Sequence, residues 1–181
     1  ISVIILINGI GGIKLLKNHQ KALFPYFMYF ILYLCTLEIA PLVLIGSYLK
    51  NFIPTAIYVS SKEYNLLNLN EVEEMFKKIK PKIVIHLAAV VGGIHHNIKE
   101  PVKYFEENIL MNTFVLRESF KSKVENFTGI LSSCIYPDNI NQYPIKEHQL
   151  LEGAPHENLF SYSYAKRCMA IQIDMYNKKY N

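Results

Sequence analysis

Four short runs rich in apolar residues constrain this chain most: Ile1–Ile7 (ISVIILI), Ala56–Ser60 (AIYVS), Lys82–Leu87 (KIVIHL) and Asn126–Leu131 (NFTGIL). Short apolar runs with little polar alternation read as strands covered on both faces, the kind found in parallel sheets. Between them lie helical patterns. Asn70 reads as an N-cap with Glu73 as its capping-box partner, and the segment that follows carries acids first and lysines last before Pro81 stops it. Pro101–Phe120 has an apolar stripe of Val102, Phe105, Ile109, Leu110, Phe114 and Leu116, and Ser161–Tyr180 is a last helix after a Pro-, Asn- and Gly-rich loop from Tyr136 to Asn158. Strands alternating with helices build βαβ units and a parallel sheet.

Composition excludes several other classes. With 181 residues, 51% hydrophobic and 19% charged, the chain suits one domain, or part of a larger one, and is neither disordered nor collagen-like. Net charge is +4 with Lys and Arg scattered, so no nucleic-acid footprint is visible. Cys35, Cys134 and Cys168 have no metal-ligand spacing, and so sparse and odd a set favours a reducing, cytoplasmic compartment. His95-His96 has no third ligand spaced to help it, so no metal site is expected. The sequon Asn126-Phe127-Thr128 falls in an expected buried strand.

One stretch does not fit this alternation. From Ala22 to Leu49 the only charge is Glu38. A membrane span needs ~20 such residues. The two apolar blocks reach that length together, but Pro25, Glu38 and Pro41 interrupt them. The competing readings are a buried helix-and-strand pair, or an insertion (residues 22–50) foreign to the fold.

In open parallel sheets, ligands bind beyond the carboxyl ends of the strands. Here those ends carry Gly9–Gly12, Ala88–Gly93 and Ser132–Cys134, which are expected to gather at one rim. Tyr162 and Lys166 stand four apart, on one face of the last helix, whereas Tyr164 lacks that spacing. An ammonium beside a phenol stabilises the phenolate, so Tyr162 can exchange a proton with a carbonyl or alcohol oxygen near neutral pH, and Ser132 can hydrogen-bond the same oxygen. Cys134, taken alone, reads as a small buried hydrophobe, the commoner fate of a free cysteine.

These features together resemble the extended short-chain dehydrogenase/reductase superfamily, and within it the GDP-L-fucose synthase family, through Val59–Asn68 (VSSKEYNLLN), Lys80–Gly93 (KPKIVIHLAAVVGG), Asn97–Lys99, Ser132–Pro137 (SSCIYP), Tyr143–Glu147 and Tyr162–Arg167 (YSYAKR). The resemblance covers Ala56 to the C-terminus, with a weaker match at Ile1–Gly12. It implies an α/β fold: a Rossmann-type doubly wound parallel sheet, incomplete, with an apolar insertion after the first strand. It also implies an NADP-dependent enzyme that epimerises C3 and C5 of a GDP-4-keto-6-deoxy sugar and reduces C4. In that scheme Tyr162 donates a proton to the C4 oxygen, Lys166 lowers the Tyr162 pKa and holds the nicotinamide ribose, Ser132 orients the ketone, and Cys134 is an epimerisation acid/base. Gly9, Gly11 and Gly12 would cradle the phosphates. Leu87, Ala88 and Ala89 would line the cofactor, and Ser61, Asn65 and Leu66 would meet the adenine and its 2′-phosphate. The family's homodimer would use Pro101–Phe120 and Ser161–Tyr180.

The sequence departs from the family in three places. Leu15 stands where the third glycine of the phosphate turn belongs, the segment from Gly12 to Val59 is longer, and the chain stops about one helix after Lys166. With Ile1 in place of Met, the expectation is a portion of a longer protein that lacks the substrate domain.

Overall fold

The computed structural model describes residues 3–7, 56–140 and 143–180. The glycine turn (Gly9, Gly11, Gly12) and the apolar segment 22–50 lie outside the described residues. In chain order the elements are β1 (Val3–Ile7), β2 (Ala56–Ser60), α1 (Leu69–Ile79), β3 (Ile83–His86), α2 (Ile94–Lys99), α3 (Pro101–Lys121), β4 (Asn126–Gly129) and α4 (Phe160–Tyr180). Single 3₁₀ turns at Ser133–Ile135, Glu147–Leu151 and Glu157–Leu159 punctuate the long loop between β4 and α4. Among the described residues no helix is long and apolar enough to cross a membrane.

Local chemistry sets the helix ends. The cap of α1 lies two residues before the expected one: Asn68 is the N-cap, and its side chain accepts from the Asn70 N–H at 3.1 Å. Glu71, three residues on, accepts from Asn68 Nδ2 at 2.9 Å and from the Asn65 N–H at 2.7 Å. Both asparagines carry an acid three residues later, and the earlier start turns Val72, Met75 and Phe76 inward together. Lys80, held before Pro81, closes the helix in the left-handed region with φ 49°.

α3 buries a different stripe from the expected one. Val102, Phe105 and Leu110 are exposed, whereas Tyr104, Asn108, Met111, Asn112, Val115 and Ser119 are buried. Two asparagines on the inner face, each bonded across the fold, hide the period from a hydrophobicity pattern. α2 was not expected from the sequence; it carries His95 and His96 exposed on its surface rather than on a loop.

The sheet order is β2-β1-β3-β4. β3 and β4 are parallel, as expected, with Ile83 opposite Asn126 and His86 opposite Gly129. β1 fills the central slot but runs antiparallel to both neighbours: Ile7 faces Ala56 on one side and Ile83 on the other. Thus β2, β3 and β4 share one direction, and the chain leaves β1 at the edge where they begin. The parallel direction expected for this first strand is therefore corrected, while the turn after it, expected at the rim with the other two loops, lies outside the described residues. The physical reason is that an apolar run specifies burial and not direction, and either orientation pairs its backbone fully.

The main core gathers Val59, Leu66, Val72, Met75, Phe76, Val84, Ala88, Met111 and Val115. α4 lies close on β4, because a Cβ on Gly129 would meet Ile173 Cδ1 at 3.1 Å and Met169 Cε and Sδ at 3.2 Å. Along its length α4 packs on α3, where Thr113 and Gln172 bond side chain to side chain at 3.0–3.3 Å. Asn126 and Thr128 of β4 are exposed, which corrects the expectation that the sequon is buried.

Candidate active site

The loops after β3 and β4 meet the first turns of α4 at one rim. Lys166 is almost fully buried there, and its Nζ donates to the Ile130 carbonyl at 2.9 Å, just beyond β4. Burial pulls its ammonium down to about 8, and the neighbouring Cys134 works in the opposite direction. Lys166 Nζ also stands 6.0 Å from the centre of the Tyr162 ring, one helical turn away. Across the same corner the Cys134 thiol donates to Ser132 Oγ at 3.1 Å. The fold thus brings together Ser132, Cys134, Tyr162 and Lys166, the set expected from the sequence: a phenol, a buried ammonium, a hydroxyl and a thiol within one corner.

The β3 side supplies the floor. Ala88 and Ala89 are buried and Leu87 half-buried after the strand. Asn108 of α3 holds this segment extended: its Oδ1 accepts from the Val90 N–H at 2.9 Å and its Nδ2 donates to the Val90 carbonyl at 3.0 Å. That amide substitutes for a neighbouring strand and satisfies both backbone groups. Further on, Asn97 Nδ2 donates to the Gly92 carbonyl at 3.1 Å, and Gly92 lies so close to the Tyr104 hydroxyl that no Cβ fits between them.

Beneath the rim, His86 is fully buried, with Nε2 2.9 Å from Asn112 Oδ1. Its pKa falls to about 3, first through burial and then through the charge of Lys166, so the ring is neutral. The Ile130 N–H donates to the His86 carbonyl at 3.1 Å, so β3, β4 and Lys166 form one hydrogen-bonded line.

The other expected cofactor residues are less uniform. Ser61 and Asn65 are exposed in the turns after β2, at the same rim, while Leu66 is buried in the core and offers a ligand its backbone only. The sequence reading passed over Glu63, whose carboxylate folds back on Ser60 and accepts from its N–H at 2.7 Å and its hydroxyl at 2.9 Å. Gly9, Gly11 and Gly12 are outside the described residues, and Ile7, where β1 ends, pairs with Ile83 at the opposite edge.

Cys134 also borders a cleft of about 260 Å³, lined by Ile94, Ser133, Tyr136, Pro137, Tyr143 and His156 among others. Two limbs of the long loop wall it. They are joined by the Asp138 N–H, which donates to the Ala154 carbonyl at 3.0 Å, and by Arg167. This buried arginine donates through Nε to the Ile135 carbonyl and through Nη1 to the Gly153 carbonyl at 2.8 Å. It stood in the YSYAKR segment without a role, because its partners are far away in sequence.

A GDP-L-fucose synthase of Dictyostelium discoideum is 40% identical over 69% of this chain and 38% of its own length. A GDP-L-colitose synthase of Yersinia pseudotuberculosis is 32% identical over 66% of the chain and 39% of its own length. The solved GDP-L-fucose synthetase of Naegleria fowleri bound to NADP superposes with a TM-score of 0.61 at 36% identity, over 67% of this chain and 35% of that one. The chain thus spans under two-fifths of the length of these relatives. Residues 1–49 match a separate family model, described as a domain of unknown function (DUF4271). Residues 47–181 match the family model of the NAD dependent epimerase/dehydratase family, and the chain belongs to that family.

Proposed function

We propose that residues 56–180 form the cofactor-side portion of a GDP-sugar epimerase/reductase that uses NADP, and more finely one that converts GDP-4-keto-6-deoxy-mannose to GDP-L-fucose. The observation that carries this reading is the buried Lys166, bonded to the Ile130 carbonyl at 2.9 Å beside Tyr162 and the 3.1 Å Ser132–Cys134 pair. The NADP-bound relative supports the choice of cofactor. The loop after β2 is ambivalent, since Lys62 favours a phosphate and the Glu63 carboxylate does not.

The small-residue floor of Ala88 and Ala89, together with Lys166 and Tyr162, suits the nicotinamide-ribose end. The bound cofactor would supply the hydride. Tyr162 would give its proton to the C4 oxygen while Lys166, through its charge, holds the phenol ready to ionise. Ser132 would donate to the same oxygen and fix the ketone. The C4 ketone acidifies the protons at C3 and C5, and Cys134 would exchange a proton at these carbons from the side of the 260 Å³ cleft. The Yersinia relative keeps a second reading open, in which the same corner reduces a different GDP-linked 4-keto sugar. The exposed Val102, Phe105 and Leu110 of α3 support a homodimer through α3 and α4.

NADPH fluorescence titration of the 181-residue chain tests the reading first. Binding that survives Cys134→Ser supports it. Undetectable binding at millimolar cofactor refutes it for this chain. In the presence of the 4-keto sugar, Tyr162→Phe is expected to abolish reduction and Cys134→Ser to abolish proton exchange at C3 and C5. Unchanged turnover in both variants refutes the residue roles.

A further inference from the structure

We infer that Arg167 is a positioning residue for Cys134 and the clasp that holds the walls of the adjoining cleft together. Its neighbour Lys166 turns toward β4 and bonds the Ile130 carbonyl. Arg167, about 100° further round the helix, reaches the opposite end of the same segment, at the Ile135 carbonyl. Two consecutive residues of α4 therefore grip the chain on either side of Ser132–Cys134. The second arm of the guanidinium bonds the Gly153 carbonyl at 2.8 Å on the returning limb of the loop. The two limbs meet at the same place: Asp138 N–H bonds the Ala154 carbonyl at 3.0 Å, and a Cβ on Gly153 would lie 3.2 Å from Pro137 Cβ. Cys134, Tyr136 and Pro137 from one limb and His156 from the other line the cleft.

The choice of residue type points beyond packing. Arg167 is 3% exposed, and its recorded contacts are two neutral carbonyls and the Tyr164 ring, 5.2 Å from the guanidinium carbon. Its Nη2 is buried without a hydrogen-bond partner among the described residues. A buried cation facing only dipoles costs more than an apolar side chain of the same volume. What the planar fork provides instead is direction: it binds two carbonyls from separate limbs at fixed angles, which a lysine cannot do. The peptide it holds on the first limb is the one that follows Cys134 by a single residue.

The catalytic meaning of this placement rests on the proposed role of Cys134, but the placement itself does not. The test therefore reads the thiol directly and needs no ligand, so failure of NADPH binding would leave it intact. In the full chain, the alkylation rate of Cys134 by iodoacetamide is measured against that of Cys168, also half-buried, by mass spectrometry under native conditions. Arg167→Gln is expected to raise the Cys134-to-Cys168 ratio about tenfold, the weight of one charge-assisted hydrogen bond in the opening equilibrium of the turn. Arg167→Lys raises it less, and guanidinium ion restores the wild-type ratio to Arg167→Ala. An unchanged ratio, a parallel rise at both cysteines, or no rescue by guanidinium overturns the proposal. If Arg167→Gln loses its far-ultraviolet dichroism, Arg167→Lys decides: a raised ratio supports the clasp and an unchanged one overturns it.

Discussion

Lys166 is almost fully buried at the rim, and its burial has a measurable cost in stability. Its ammonium titrates at about 8 in the folded chain against 10.5 for an ordinary lysine. At about 1.36 kcal/mol per pH unit, that difference corresponds to roughly 3 kcal/mol. The unfolded chain holds the proton more tightly, so it binds more protons than the folded one between the two values. Stability must therefore rise with pH across that window, and the penalty is fully present below pH 8. Between about pH 7 and about pH 9.5 the penalty falls by about 2 kcal/mol. Lys166→Met removes the titration and keeps most of the volume, at the cost of the hydrogen bond to the Ile130 carbonyl. Urea unfolding of wild type and Lys166→Met at both pH values, followed by far-ultraviolet dichroism, isolates the term. The stability gap between them should move by about 2 kcal/mol in favour of wild type at the higher pH. If both proteins shift in parallel, Lys166 is not titrating in a buried site, and the argument for a depressed ammonium at the rim fails.

Two further predictions rest on the β3 side of the rim. Burial holds His86 at about 3, so the folded chain refuses a proton that the unfolded chain accepts, and stability must fall as pH drops below 6.5. Wild type should lose about 2 kcal/mol more than His86→Gln between about pH 7 and about pH 5 in urea titrations; equal losses would show that the imidazole is not held neutral. Gly92→Ala brings a Cβ against the hydroxyl of the buried Tyr104 and should cost about 1–3 kcal/mol in thermal unfolding. In a Tyr104→Phe background much of that cost should vanish, and the same cost in both backgrounds would refute the close contact as its cause.

What could be read from the sequence was what neighbours in the chain decide. The spacing of Tyr162 to Lys166 follows from helical geometry alone, and the strands at Ala56–Ser60 and near Lys82–Leu87 follow from their apolar runs. The α1 cap was misplaced only because Asn68 and Asn70 carry the same local signal. Interactions across the fold were illegible. Asn112 meets His86 across 26 positions, Arg167 meets Ile135 across 32 and Lys166 meets Ile130 across 36. No window of local sequence contains both partners, so nothing in YSYAKR sets Arg167 apart from a surface charge. The same cause shifted the buried stripe of α3: Asn108 and Asn112 count as polar in a pattern, yet each lies inward because its partner is already waiting there.

The reversed central strand has a consequence for how such a sheet is specified. Val3–Ile7 reads VIILI forwards and ILIIV backwards. Every side chain is a large aliphatic in both readings, so the segment is a near-palindrome in the only property its slot inspects. Polarity must then come from what the segment is tethered to. That tether fixes a destination, because five strand residues at ~3.3 Å per step set the two ends about 13 Å apart. Ile7 itself therefore stands at the opposite edge of the sheet from Leu87 and Ile130. Orientation, carried by no side chain in the strand, is thus the quantity that decides from which edge of the sheet the chain continues.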